Sequence, residues 1–493
     1  MTISGIGGQS QSMVRALIGM RTMLADLQRQ MTTGKKTDSY AGLGVDRGLA
    51  VTLRAQLAAR KGYNDSIVNA GTRIDIAQSA LTRISAVGRE IKTASGQMSS
   101  EGQRATAKES AKNAIDEILG LLNSQAGDRY LFSGLATDRP ATETVDAILH
   151  GDNLRAGLEQ VIAERKLADL GADGLGRLAV TAPASAAMQV EEDAASPFGF
   201  KLAGIASSLS GASVAAPGGS PQVMSVELAE NPKAGETLNL SFTLPDGSTE
   251  TVTLTATSSQ TPAAGEFSIC ADPAETAENL RAATRNAIGG LARSSLTIAS
   301  AIAASGNFFA VDGANSPLRV DGSPFESATA LVAGTPENTV FWYKGEAGSQ
   351  PARSTAKAGI DQSIAVDYGL RANEAGIAKL VGKVALLALS PFSESDPDIA
   401  KQSAALSARL SSALALPSGI DTIQAELAGA RNAIKAAQTR HQESRATLAD
   451  MLSGIEGVSN EEVAARILAL QTRLEASLQT TAILYKTSLL NYI

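Results

Sequence analysis

The residues with the most specific chemistry in this sequence are its two histidines and its single cysteine. His150 and His441 lie far apart, and neither has a second histidine or a cysteine at metal-ligand spacing. Cys270 can form no disulfide within the chain, and its strand-like surroundings predict a small buried apolar residue rather than a reactive thiol. The sequence therefore predicts no metal site and no covalent cross-link.

Nucleotide-binding and nucleophile motifs are also missing from the sequence. It holds neither a Walker phosphate loop nor a G-x-S-x-G elbow, and the glycines near its start do not follow a strand as a dinucleotide fingerprint requires. Carboxylates are plentiful, but their spacing alone does not show that any two face one another across a cleft. We therefore predict no catalytic residue, no cofactor and no enzymatic activity.

His441 stands at an a/d position of a helical heptad pattern, where a titrating imidazole would be a pH-sensitive group. A single polar residue in such a seam more commonly sets the register of the helices, or lies where the seam reaches solvent. We adopt this second, structural interpretation of the residue.

The charge and hydropathy of the sequence argue against nucleic acid and membranes as partners. The 493 residues carry a formal net charge of −7, so the sequence indicates no basic surface for nucleic acid or an anionic membrane. Charged residues interrupt every apolar stretch before the roughly 18 to 20 residues that a membrane span requires. The first residues lack the charged, apolar and small-residue regions of a secretory signal, and we expect no cleaved signal peptide.

Proline divides the chain into two arms and a centre. All 16 prolines lie between Pro140 and Pro417, and because proline breaks helices, long uninterrupted helices are permitted at the two ends. Trp342 and every phenylalanine except Phe132 lie in the central part. We expect long helices in both arms and a globular region between them.

Apolar residues in both arms alternate at spacings of three and four, which places a seam along one face of a helix. The N-terminal seam stops before Gly34, which predicts the end of the first helix. A second C-terminal seam begins beyond Gly457, and seams at both termini imply that each terminus needs a partner. The predicted assembly seam consists of Met13, Leu17, Met20, Leu24, Leu27, Met31, Leu470, Leu474, Leu478, Tyr485 and Tyr492.

The inner parts of both arms are also amphipathic. We expect a second helix through Leu53–Ile91, a third through Ile115–Leu122 and a long C-terminal helix through Ile420–Ile455. For these inner helices, after Gly48 and before Gly457, we expect the seams to close within the chain.

The centre of the chain changes from helical spacing to alternation. Leu238–Leu244 and Val252–Ala256 alternate with polar residues around the turn residues 245–248, which predicts a β-hairpin. Asp272 is followed directly by Pro273 and, three residues after Asp272, by Glu275, which predicts the start of a helix. Two further strands are predicted at Thr339–Tyr343 and Ile364–Leu370. A linker is predicted at Ser207–Pro221, which is rich in small residues and proline.

Four segments of the arms together carry a family resemblance. Arg466–Ile493 is similar to a terminal helix of the bacterial flagellins and their hook-associated relatives, whereas Met31–Gly44 departs from the Ser-Gly-Lys/Arg-Arg-Ile-Asn-Ser run that the family shows there. Val366–Glu374 looks like the strand that resumes the family's core after a variable insert. The segment G-D-R-Y-L-F-S-G resembles the Gly-x-Tyr-x-Phe-x-Gly segment of the hook-filament junction member. Its matching positions are Gly127, Tyr130, Phe132 and Gly134. The same segment could also be simply a packed cap on the third helix.

The resemblance implies a mainly α fold with an α+β insert. Long helices from both termini nest into a coiled-coil core, and a central domain with a β-hairpin and a helix points outward. The implied regions are residues 1–34 with 460–493 for terminal assembly, 35–139 with 365–459 as a helical rod, and 140–364 as a variable outward domain with a compact insert at about 198–346.

The resemblance also implies a structural, non-enzymatic hook-associated protein that joins hook to filament. Its implied partners are copies of itself, a hook-side junction protein, flagellin subunits, the flagellar export apparatus and an export chaperone. Its implied location is the extracellular flagellum, reached through the flagellar type III route. Two alternatives stay open: a flagellin that forms the filament itself, and an exported adhesin or enzyme whose activity lies in the insert.

Overall fold

The chain folds mainly into α-helices, with a β-rich centre, which confirms the predicted fold class. The computed structural model describes residues 4–193, 196–312, 315–415 and 419–490. A 3₁₀ helix, Tyr40–Asp46, follows the first α-helix. The α-helices are α1 (Ser4–Thr33), α2 (Arg47–Ser95), α3 (Glu101–Leu122), α4 (Val145–His150), α5 (Leu158–Leu170), α6 (Pro273–Leu291), α7 (Thr297–Phe309), α8 (Ala375–Leu389), α9 (Ile399–Ala415), α10 (Gly419–Glu456) and α11 (Asn460–Leu490).

The strands are short and come from the middle of the chain. They are β1 (Gln125–Ala126), β2 (Arg129–Tyr130), β3 (Leu178–Thr181), β4 (Ala187–Glu192), β5 (Lys201–Ser207), β6 (Ala212–Gly218), β7 (Val223–Leu228), β8 (Thr237–Thr243), β9 (Thr249–Thr257), β10 (Glu266–Ser268), β11 (Leu318–Val320), β12 (Leu331–Ala333), β13 (Lys357–Asp361) and β14 (Ile364–Asp367). Two four-stranded sheets have the orders β3-β4-β7-β6 and β10-β9-β8-β5. β9 and β10 run parallel, and the other neighbours in these two sheets are antiparallel.

One compact unit, called unit 1 here, is built from residues 1–69, 359–366 and 432–493. In it α1 packs along α11. Helix α1 ends where predicted, because Gly34 adopts a left-handed φ of 67° while its amide still donates to the carbonyl of Gln30.

The break after α1 and the break before α11 are joined by main-chain hydrogen bonds. Lys36 N donates to Glu456 O at 2.7 Å, and Val458 N donates to Gly34 O at 3.1 Å. Lys35 and Gly457 form an antiparallel bridge between these bonds. We call residues 34–36 and 456–458 the double hinge.

The second compact unit, unit 2, consists of residues 70–358 and 367–431. A large apolar cluster of this unit lies among the two four-stranded sheets, α6 and the helical turn that follows α6. Strand β8 shows how the sequence builds it, since Leu238, Leu240 and Phe242 are fully buried while the residues between them are half-buried. α3 and α7 pack against α8 in the same unit.

The central hairpin and the helix after it are confirmed. β8 and β9 pair antiparallel with Thr243 opposite Thr249, so the turn lies where the sequence placed it. The side chain of Asp272 caps α6 by accepting a hydrogen bond from Ala274 N at 3.0 Å, and Pro273 is the first helical residue.

The predicted linker at Ser207–Pro221 is wrong. β5 ends at Ser207, and β6 then pairs antiparallel with β7 as the edge strand of its sheet. Val214 is exposed, and its neighbours are alanine, serine, proline and glycine. A strand of small residues exposed at an edge lacks the apolar alternation that identifies a half-buried strand.

The predicted strand at Thr339–Tyr343 is also wrong, because this segment makes only isolated bridges, of Thr339 with Ala156 and of Tyr343 with Thr142, within the described residues. Its apolar character reflects burial instead: Trp342 is fully buried. The predicted strand at Ile364–Leu370 is confirmed only for β14, and Cys270 is half-buried rather than buried.

The continuous helical stretch Pro273–Phe309 is the one part of the described residues that is long and apolar enough to cross a membrane. However, 61% of its most apolar 18-residue window is buried inside the protein. Leu280, Ile288 and Leu296 belong to the apolar cluster of unit 2. The stretch is therefore apolar because it is a core helix.

Candidate functional site

The N-terminal half of the predicted assembly seam lies on α1. Met31 is 47% exposed, although the sequence pattern includes it in the seam. The other members are half-buried where α1 packs along α11, namely Met13, Leu17, Met20, Leu24 and Leu27.

On α11 the seam follows a slightly different line from the one predicted. Leu470 is buried and Leu474 is half-buried, but Leu478 is 47% exposed, and Ser477 takes the inner position instead. Strict alternation of four and three after Leu470 and Leu474 leads to residue 477 and not to 478. The side chain of Tyr485 and the whole of Tyr492 lie outside the described residues. A role of these residues in assembly stays a prediction.

Both terminal helices also carry exposed apolar side chains outside the predicted seam. These side chains are more than half exposed, and we call them the outer apolar set: Val14, Ile18, Met23, Leu468 and Ile483. Single exposed apolar residues are common on protein surfaces, but a concentration of them on two paired helices marks an interaction surface.

The segment Gly127–Gly134 begins as a tight turn after α3. Gly127 adopts a left-handed φ of 68°, and Ala126 pairs with Arg129 on either side of the two-residue turn. Leu131 N then donates to Ser124 O at 3.1 Å, which folds the chain back over the end of α3. The segment thus forms a tight turn directly after α3, whose C-cap is Asn123, and its role as a packed cap on that helix stays a prediction.

The second half of the segment joins the N-terminal part of the chain to residues far along the sequence. Phe132 is fully buried, and its carbonyl accepts a hydrogen bond from Ala372 N at 2.8 Å. Gly134 N donates to Leu370 O at 3.0 Å, and an antiparallel bridge joins Ser133 to Arg371. The motif is thus a main-chain junction between the two arms within unit 2.

Gly134 is required there for two separate reasons. Its φ is 64°, in the left-handed region, and a Cβ added to it would lie 2.6 Å from a side-chain oxygen of Glu346. That carboxylate also accepts a hydrogen bond from Leu135 N at 3.0 Å and forms an ion pair with Arg371. Arg371 is buried and donates to the carbonyls of Gly348 and of Gln350.

Sequence reasoning missed the ion pair between Arg371 and Glu346, although it quoted Arg371 within the segment Val366–Glu374. The available signal was a charged residue between the apolar residues Leu370 and Ala372. Its partner Glu346 could not be predicted from residue spacing, because the two are separated by 24 residues, which include a 3₁₀ helix and two short strands.

The two histidines lie in contrasting surroundings. His150 is exposed and its Nδ1 lies 2.8 Å from Oε2 of Glu159. His441 is 1% exposed and contacts Arg60, Tyr63 and the carbonyl of Ile360 within unit 1. The described residues contain no group of three or more histidine, cysteine, aspartate or glutamate residues that could hold a metal ion. The predicted lack of a cofactor stays a prediction.

A cavity of about 800 Å³ lies in unit 2. At its edge, Arg409 donates from Nε to Asp246 at 2.8 Å and pairs with Glu250 at 3.2 Å. Both acids belong to the β8–β9 hairpin, inside the predicted insert. The volume suits a small molecule, and the larger apolar lining residues are Ile302, Phe309, Leu386 and Leu410.

A comparison with protein families identifies the N-terminal part of this arrangement. Residues 9–137 match the model of the bacterial flagellin N-terminal helical region, which is about a quarter of the chain. The matched range contains α3, the α1 half of the predicted seam and the whole of Gly127–Gly134. A search of curated proteins found no match. The chain therefore carries the N-terminal helical region of the bacterial flagellins, which supports its membership of that family as a structural protein of the extracellular flagellum.

Proposed function

We propose that this protein is a hook-associated protein that joins hook to filament and completes the folding of its terminal helices as it assembles. The observation that carries its structural role is the outer apolar set. α1 and α11 bury one seam against each other and still expose Val14, Ile18, Met23, Leu468 and Ile483.

Physical chemistry links this surface to assembly. A pair of helices that leaves apolar side chains in water gains free energy when a further subunit covers them. Isolated helices are marginally stable, so the same contacts also stabilise the helical state. Contacts that join different faces of successive subunits generate helical tubes rather than closed dimers, which is the geometry of an axial structure.

The position at the junction, rather than in the filament, rests on two sequence features. Gly127–Gly134 resembles the segment of the junction member, and in this chain it follows α3 directly and forms main-chain hydrogen bonds with Leu370 and Ala372. Met31–Gly44 departs from the run typical of flagellins. Both features support a specialised axial subunit.

The proposed partners are copies of this chain, a hook-side junction protein and flagellin subunits. Before assembly the chain would bind an export chaperone and pass unfolded through the flagellar export apparatus. A chain without disulfides suits that route, because no covalent link must form or break on the way.

Immunogold labelling of isolated flagella tests the proposed position. Antibodies raised against the β8–β9 hairpin should label a short collar at the distal end of the hook. Labelling along the whole filament would instead identify the chain as a flagellin, which is the second candidate because the matched helical region is described for flagellins. Flagella from a deletion strain provide the background.

The third candidate, an exported adhesin or enzyme, has one observation in its favour, the cavity beside the β8–β9 hairpin. Binding of the full chain to glycan arrays and to host surfaces tests it. Loss of a binding signal in an Arg409→Met variant would support this candidate, whereas a signal that survives the substitution would place binding elsewhere.

A further inference from the structure

The cavity of unit 2 is a groove between α7 and α8. The Ser305 hydroxyl donates to the Gly382 carbonyl at 2.9 Å. The side chain of Asn373 donates to the Val311 carbonyl at 2.9 Å, so the two helices run antiparallel. Lining residues recur on both helices at spacings of three and four. One face of each helix therefore forms a wall of the groove.

Apolar side chains from three helices line this groove. Ile302 and Phe309 come from α7, Leu386 from α8 and Leu410 from α9. The volume of about 800 Å³ lies within the roughly 300 to 1,000 Å³ of ligand sites in proteins. A hydrocarbon chain laid along this lining would leave water together with the apolar surface that it covers, which is favourable.

The acids described in the lining each have a partner in unit 2. Arg409 pairs with Asp246 at 2.8 Å and with Glu250 at 3.2 Å, where the β8–β9 hairpin meets the groove. Asp312 accepts two hydrogen bonds from Asn315, from its backbone amide at 2.9 Å and from its side chain at 2.8 Å. Negative charge in the lining is therefore held by neighbouring groups of the protein.

Two lysines give the α8 wall a positive charge. Lys379 and Lys383 both line the groove, one helical turn apart. Lys379 is exposed, and Lys383 is half-buried. Burial of the Lys383 ammonium lowers its pKa, and the neighbouring charge of Lys379 lowers it further. A negative group beside both lysines would therefore be stabilised there.

We propose that this groove binds an anionic amphiphile of the fatty-acid type. The carboxylate lies beside Lys379 and Lys383, and the hydrocarbon chain follows Ile302 and Phe309. A small anion alone would leave the apolar lining uncovered, and a neutral sugar would bring no negative charge to the α8 wall. The site does not depend on the position of the subunit in a flagellum, since its lining belongs to unit 2.

The chain contains its own reporter for the groove. Trp342 is the one tryptophan of the sequence, and its ring lies 5.4 Å, between centroids, from that of the lining residue Phe309. Titration of the full-length protein with laurate, below its micelle concentration, should therefore change the fluorescence of Trp342 saturably. Circular dichroism of the same samples should show unchanged helicity, and isothermal titration calorimetry gives the dissociation constant.

Three further probes separate the two parts of the ligand. Decanoate is two methylene groups shorter and should bind about tenfold more weakly than laurate. Dodecyltrimethylammonium has the same chain with a positive head, and it should bind at least about tenfold more weakly. Acetate, which has the carboxylate without the chain, should show no saturable binding.

A double variant, Lys379→Gln with Lys383→Gln, tests the place of the carboxylate. Laurate should bind about tenfold more weakly, and its advantage over the cationic amphiphile should disappear. Lys401→Gln is the matched charge control, because Lys401 is exposed on α9 outside the lining. This control should bind laurate as the wild type does.

Gly306→Leu tests the place of the hydrocarbon chain. Gly306 lines the groove on α7, and a Cβ added to it meets nothing within 4 Å, so the larger side chain fits and fills the groove. Laurate binding should fall about tenfold or more. Gly120→Leu is the control, since Gly120 is exposed on α3 and its Cβ would also meet nothing within 4 Å.

Several results would overturn the proposal. One is the absence of saturable laurate binding, and another is equally tight binding of the cationic amphiphile. Laurate binding that survives Gly306→Leu would place the ligand elsewhere on the protein. A fluorescence change that accompanies a loss of helicity would identify denaturation instead of binding. Binding to vesicles of anionic lipid without binding to monomeric laurate would assign the affinity to a membrane surface.

Discussion

The hydroxyl oxygen of Thr481 lies 3.2 Å from the sulfur of Met13 and so brings the two terminal helices of the chain into contact, while the same hydroxyl donates to the carbonyl of Ser477 at 2.6 Å. Both Thr481 and Met13 are half-buried, and sulfur is a weak acceptor, so the contact between them contributes no more than about 0.5 to 1 kcal/mol. α1 and α11 thus meet through modest, partly solvated contacts. They belong to the part of the protein that opens most easily.

Limited proteolysis of the purified monomer should therefore trim both ends before it cuts unit 2. The reason is that α1 and α11 leave much apolar surface uncovered, while unit 2 has a large buried apolar cluster. Mass spectrometry of timed digests gives the order of cleavage. A full-length monomer that resists protease as long as unit 2 does would contradict assembly-coupled folding.

The outer apolar set should be required for incorporation into flagella but not for folding of the monomer. A double variant, Leu468→Ser and Ile483→Ser, removes two exposed side chains of α11 without changing the seam with α1. Incorporation, measured in sheared flagella, should fall by tenfold or more, since about 1.4 kcal/mol of lost contact already changes an equilibrium tenfold.

Gln479→Ala is the matched control, because Gln479 is exposed on the same helix and is polar. Its incorporation should stay close to that of the wild type. A seam variant, Leu470→Ser with Leu474→Ser, should lose incorporation and also become more sensitive to protease. Equal incorporation of the Leu468/Ile483 variant and the wild type would show that the outer set is not an assembly surface.

Gly134→Ala should destabilise unit 2 more than Gly127→Ala. Both glycines have a left-handed φ, but a Cβ at Gly134 meets Glu346 whereas a Cβ at Gly127 meets nothing within 4 Å. The free energy of unfolding should fall by about 1 to 2 kcal/mol for Gly127→Ala. It should fall by about 2 to 5 kcal/mol for Gly134→Ala, where overpacking adds to the backbone strain.

Trp342 reports this experiment directly. It is the one tryptophan of the chain, it is fully buried in unit 2, and its indole N–H donates to Phe309 O at 3.1 Å. Its fluorescence during denaturant unfolding therefore follows unit 2. Equal midpoints for the two alanine variants would refute the close packing of Gly134 against Glu346.

Loss of the protein should leave complete hooks without filaments and should release flagellin into the medium. A collar has a fixed copy number, so the ratio of this chain to flagellin should fall as filaments lengthen. Quantitative mass spectrometry of flagella sheared to different lengths measures that ratio. If the chain is the major component and scales with length, it forms the filament.

Features with local causes were predicted from the sequence. The end of α1 at Gly34, the capped start of α6 at Asp272 and the β8–β9 hairpin each depend on a few neighbouring residues, and each lies where predicted. The half-burial of Met13, Leu17, Met20, Leu24 and Leu27 on α1 also followed from spacing, whereas Met31 in the same pattern is exposed.

Features that depend on distant partners were not predicted. β6 is an edge strand because β7 supplies hydrogen bonds to an otherwise undistinguished run of small residues. The segment Thr339–Tyr343 resembles a strand in sequence because it is apolar, but it is apolar because Trp342 is buried in the core. The enclosure of His441 by Arg60 and Ile360 brings together three distant parts of the chain, and no spacing within α10 contains that information.

The double hinge has a mechanical consequence. At Gly34 and Gly457 neither helix is continuous, yet two main-chain hydrogen bonds and a bridge tie the breaks together. A torque applied to α1 and α11 is therefore carried by two backbones in parallel, each limiting the rotation of the other. The two terminal helices should therefore respond to such a torque as one unit, which suits the axial role proposed for this protein.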